Sequence, residues 1–90
     1  MTRIMDSLLE WPEWWDWELE LTPHLAKRMA DRQFNEVELR TMLADAKGYT
    51  TQPPDRFVVF TRREGREWEV VVEPDPTDRV LLVITAYPRD

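Results

Sequence analysis

The pattern of the chain changes at Thr22. Before it, Trp15-Asp16-Trp17-Glu18-Leu19-Glu20-Leu21 alternates apolar and acidic residues, as a strand with one buried face does. After it, Leu25, Ala26 and Met29 recur at helical spacing, and Thr22-Pro23 supplies a capping hydroxyl followed by proline at the first helical position. A strand over 15–22 is therefore expected to pass directly into a helix over 23–33.

The remaining signals fill in that core. Asn35 with Glu38 reads as a capping box opening a second helix, 36–47, whose buried side is Leu39, Met42, Leu43 and Ala46 and which Gly48 ends. Only Phe34 and Asn35 separate the helices, so Phe34 is expected to wedge between them. Residues 49–56, with Pro53-Pro54, read as a loop. Strands are expected over 57–62, 67–73 and 80–87, with Glu64-Gly65 as a tight hairpin turn and 74–78 as the next turn. Val80 to Tyr87 is the most apolar run, which predicts a central strand, stopped by Pro88. The expected fold class is α+β, in the order β-α-α-β-β-β. Its antiparallel sheet carries two helices packed on one face. Residues 1–14 are expected to form a Trp-rich N-terminal arm or short helix, and 15–90 a single domain.

Composition narrows the chemistry. With no cysteine and one histidine, disulfides, thiolate zinc and multi-histidine metal sites are excluded within one chain, so no metal and no cofactor is expected. No apolar run is long enough to span a membrane, which makes the cytoplasm the default compartment and a membrane an unexpected partner. The net charge of −6 argues against indiscriminate nucleic-acid binding. That charge is concentrated in residues 1–21, so the remainder is nearly neutral and can present a basic face.

Four groups of residues carry possible chemistry. His24, Arg28 and Arg32 lie at i, i+4 and i+8 on the first helix, joining a proton-exchanging imidazole to two cations that suit a phosphate. A solvated helix surface explains the same spacing. Thr85 and Tyr87 share a strand face by alternation, together with Leu81 and Val83, and can orient a phosphate or simply finish a half-buried strand. Arg62, Arg63 and Arg66, with Arg56 and Arg79, surround the hairpin and are candidate RNA contacts, or a mixed-charge surface with Glu64, Glu67 and Glu69. Trp11 and Trp14 read as partner-interface residues, including for a homodimer, whereas Trp15 and Trp17 read as core.

The stretches TPHLAKRMADRQF and VVVEPDP…LLVITAYP resemble a family of small bacterial domains of unassigned function, itself similar to RelE/BrnT-type toxins of the barnase–EndoU–colicin–RelE ribonuclease fold. The resemblance covers about Leu19 to Pro88. It implies a metal-independent endoribonuclease toxin with a cognate antitoxin and an RNA substrate. Carried over by position, it implies catalytic roles for His24, Arg28, Arg32, Thr85 and Tyr87. The alternative is a non-catalytic protein-binding or regulatory module with the same fold.

Overall fold

The computed structural model describes residues 12–89. Among them a single 3-10 turn, Glu13–Asp16, leads into β1 (Glu18–Leu21), followed by α1 (Pro23–Arg32) and α2 (Glu36–Ala44). Four strands close the chain: β2 (Gly48–Gln52), β3 (Arg56–Arg63), β4 (Arg66–Asp75) and β5 (Val80–Pro88). They form one five-stranded sheet in the order β1-β5-β4-β3-β2. The pairs β2–β3, β3–β4 and β4–β5 are antiparallel, but β1 runs parallel to β5.

The helix boundaries follow from local chemistry. Thr22 Oγ1 accepts from the Leu25 amide at 3.2 Å and caps α1. Gln33 takes the left-handed conformation (φ 58°) that ends it. At α2 the capping box forms reciprocally, with Asn35 Oδ1 accepting from the Glu38 amide and Glu38 Oε1 from the Asn35 amide, both at 2.9 Å. Leu25 and Met29 of α1 and Leu39, Met42 and Leu43 of α2 are buried against Val59, Val70, Val72, Leu81, Val83 and Ala86 of the sheet. Phe34 is buried between the helices, edge-on to Trp68 with ring centroids 5.4 Å apart. Thr61, fully buried, donates its hydroxyl hydrogen bond to the Met42 carbonyl, tying α2 to β3.

Several expectations are corrected. The sheet is mixed, because β1 lies alongside β5 and in the same direction, with both helices and three strands between them in the chain. Residues 48–52 are a strand, not a loop. Tyr49-Thr50-Thr51 pairs with Phe57-Val58-Val59, and Pro53-Pro54 only ends the ladder. The most apolar run, β5, is interior but second from the edge, and β4 is the middle strand. The first strand starts at Glu18 because Trp15 and Trp17 donate their amides to Pro12 and Trp14 carbonyls in the preceding turn. That turn drives Trp14 into the core, 8% exposed and 4.9 Å from the Phe57 ring, so Trp14 is not an interface residue. Trp11 lies outside the described residues. Helix α2 ends at Ala44, and Ala26 of α1 is exposed instead of joining its buried stripe.

Candidate functional site

Thr22 joins the two halves of the predicted site. Its hydroxyl lies 3.1 Å from both the Val83 and Ile84 carbonyls, and its amide donates to the Val83 carbonyl at 3.3 Å. The start of α1 is thereby fixed to β5 where β1 stops, at the Leu21–Val83 pairing. His24 is two residues past this anchor on α1, and Thr85 one residue past it on β5. Chain geometry keeps their Cα atoms within roughly 17 Å. Helix α1 then follows the outer half of β5, delivering Phe34 to Trp68, whose register partner is Pro88.

The side chains diverge from that shared edge. A β-bulge at Val71/Val72 leaves Ile84 as an extra residue in β5, so Val72 pairs with Val83 and Val71 with Thr85. Alternation is broken there. Leu81, Val83 and Ala86 face the helices, whereas Thr85 and Tyr87 face the other side of the sheet with Val71 and Glu69. The expectation that Thr85 and Tyr87 share a face with Leu81 and Val83 is thus overturned, and the physical reason is one inserted residue.

The α1 ridge has an unusual electrostatic position. His24 is exposed, and Arg28 and Arg32 are half-buried on the flank of the sheet-facing stripe. Among the described residues, no ion pair or hydrogen bond engages the side chains of His24, Lys27, Arg28 or Arg32. By contrast Arg40, Lys47, Arg56, Arg62, Arg63, Arg79 and Arg89 each meet a carboxylate. The Nη1 of Arg32 is buried without a hydrogen-bond partner among the described residues.

The face away from the helices holds a second cluster. Glu69 Oε1 accepts from the Tyr87 hydroxyl at 2.7 Å, and Glu69 Oε2 accepts from Arg89 Nε at 3.1 Å. Glu67 Oε2 accepts from Lys47 and Arg62, each at 3.4 Å. The sequence shows Tyr87 as a candidate and Glu69 only as part of a mixed-charge surface, and it does not single out Lys47 or Arg89, because strand registers across β3, β4 and β5 bring them together. The hydrogen bond to Glu69 is the largest cause of a Tyr87 pKa raised above 10.0, followed by burial and the carboxylate's charge. With the folded value raised, this contact contributes stability below the ordinary phenol pKa and loses it as pH rises through the folded one. An NMR titration of the Tyr87 ring should show the elevated midpoint, with Glu69→Gln bringing it back down. An unchanged midpoint in that variant would contradict the hydrogen bond as the cause.

Of the predicted RNA contacts, Arg62 is exposed beside Glu67, and Arg66 is exposed at the hairpin. Arg63 is different. It is 15% exposed, lies 5.6 Å from the Phe34 ring centroid and 5.7 Å from that of Trp68, and contacts Glu38, Glu64 and the Gln33 carbonyl. It is a clamp over the helix junction, and its contacts leave it no reach for RNA. A separate cleft of about 250 Å³ lies between β1 and α2, lined in part by Trp15, Trp17, Arg40 and Leu43. Among the described residues no group of three or more His, Cys, Asp or Glu is placed to hold a metal, and no helix is long and apolar enough to cross a membrane.

Fold and cluster together define an α+β domain with two helices on one face of a five-stranded mixed sheet and a polar cluster on the other. The chain belongs to a family of domains of unknown function, DUF4258, whose model matches residues 21–88 and so spans α1 through β5. No curated protein and no solved structure matches the chain.

Proposed function

We propose that this protein is a toxin-like, metal-independent endoribonuclease of a toxin–antitoxin type system, with a RelE-like arrangement of its domain. The observation that supports the reading is the set of cations on α1 that no described carboxylate pairs with, in a protein of net charge −6, at the edge where β1 ends. A phosphodiester at that edge would meet Arg28 and Arg32, which stabilise charge developing on the phosphorus-bound oxygens. His24 supplies the imidazole there, the side-chain type most often used as a general acid or base. A base removes the ribose 2′-hydroxyl proton, that oxygen bonds to phosphorus, and the 5′ oxygen leaves with a proton from an acid. The products are a 2′,3′-cyclic phosphate and a 5′-hydroxyl, and no metal enters the balance. Thr85 and Tyr87 orient the strand from the other side of β5. Such an enzyme acts in the cytoplasm, where an antitoxin protein would hold it in check.

One observation favours a non-catalytic protein-binding module instead: the bulge turns Thr85 and Tyr87 to the face opposite the α1-facing core. Expression in a bacterial host separates the two. The enzyme reading expects wild type without its antitoxin to arrest growth and His24→Ala to relieve the arrest. A harmless wild type that leaves cellular RNA intact would favour the binding module.

A further inference from the structure

On the face away from the helices, Phe60, Glu69 and Tyr87 form one row across β3, β4 and β5, each the register partner of the next. Two ladder steps put the two aromatic positions roughly 9–10 Å apart. The guanidinium of Arg89 lies 5.7 Å from the Phe60 ring centroid, so a planar cation already sits over that ring. Immediately beside the row are Lys47 and Arg62, 50% and 56% exposed. The part of this face formed by β2, β3, β4 and their flanks carries Lys47, Arg56, Arg62 and Arg89 against Glu67, Glu69, Glu73 and Asp75, the last sharing the Glu73 face by alternation. It is therefore balanced in charge, in a strongly acidic chain. At the other edge, β1 carries the exposed Glu18 and Glu20, which would repel a phosphate backbone.

We infer that this row is a binding surface for single-stranded RNA, with bases stacking at Phe60–Arg89 and Tyr87 and phosphates meeting Lys47 and Arg62. The inference rests on the ribonuclease reading for its choice of RNA, and it extends the substrate from the β5 edge across the sheet, away from β1. The chemistry is general. Aromatic rings and arginine planes on a sheet face stack unpaired bases with little regard to sequence, while neighbouring cations track the backbone. Glu67 lowers the positive potential at Lys47 and Arg62, so it should weaken binding and limit it to strands that add stacking.

The test uses the full chain and a fluorescein-labelled 2′-O-methyl RNA decamer, which can bind but has no free 2′-hydroxyl to attack. Binding is followed by anisotropy over a range of salt. Wild type is expected to bind. The double variant Lys47→Ala/Arg62→Ala should bind about tenfold more weakly, with a log–log salt slope smaller by roughly 1.4, the share of two single-strand phosphate contacts. Phe60→Ala should weaken binding by about tenfold with its slope kept, and Glu67→Gln should tighten it. Arg40→Ala, on α2, should change nothing, and thermal unfolding confirms that each variant is folded. A wild type that fails to bind, or a folded Lys47→Ala/Arg62→Ala protein with wild-type affinity and slope, overturns the surface. Binding by a wild type that leaves natural RNA uncleaved would retain the surface and remove the catalytic reading.

Discussion

Replacing His24 with alanine is expected to slow cleavage of an RNA oligonucleotide by about 10²–10⁴-fold in single-turnover kinetics, the usual worth of a positioned acid or base. His24 is exposed on the first turn of α1 and none of the described residues pairs with it, so the loss should appear without a change in unfolding temperature. That combination separates a chemical role from a structural one. The flanking cations should behave differently. Arg28→Ala should also slow cleavage, but added salt should narrow the gap between it and wild type, because salt screens the phosphate attraction that Arg28 supplies. Equal rates for wild type and His24→Ala would remove the imidazole from the mechanism.

The largest expected loss of stability is at Trp68. It is 4% exposed, meets Phe34 edge-on, and forms one wall of the Arg63 clamp that closes the helix junction. Trp68→Ala therefore removes a large buried ring, leaves Phe34 without its edge-on contact and takes one of two rings from Arg63. A Trp-to-Ala change in a packed core costs about 3–5 kcal/mol. A domain of this size has roughly 5–10 kcal/mol to lose, and the unfolding midpoint should fall by roughly 15–25 °C. Calorimetry or circular dichroism measures it directly. Val37→Ser is the natural control, since Val37 is 71% exposed on α2 and its replacement should stay within about 0.5 kcal/mol.

What the sequence made legible, and what it hid, follows from how local each signal is. The period change at Thr22, the cap at Thr22-Pro23, the capping box at Asn35 and the Glu64-Gly65 turn each depend on a few neighbouring residues, and each is present in the fold. Phe34 could be placed because two short-linked helices leave it nowhere else to go. Strand β2 was hidden because Tyr49-Thr50-Thr51 has no apolar alternation, and its pairing with β3 is a property of the partner. The parallel β1–β5 pairing is equally non-local.

The candidate site shows the same division. The α1 ridge was readable from helical spacing, but its lack of ion pairs among the described residues was not, since that depends on where the carboxylates of the fold lie. The facing of Thr85 and Tyr87 was misread because Leu81-Leu82-Val83-Ile84 is uniformly apolar. Nothing in such a run marks the extra residue at Ile84 that reverses the alternation. Glu69 belongs to this hidden set too. Its place beside Tyr87 is set by a hairpin register spanning eighteen residues.

The ribonuclease activity is tested most directly by incubating the purified full chain with total RNA in the presence of a metal chelator, with His24→Ala alongside. Wild type is expected to shorten the RNA, leave 2′,3′-cyclic phosphate ends, and act far faster than the variant. Intact RNA with folded wild-type protein, or equal cleavage by His24→Ala, would contradict it.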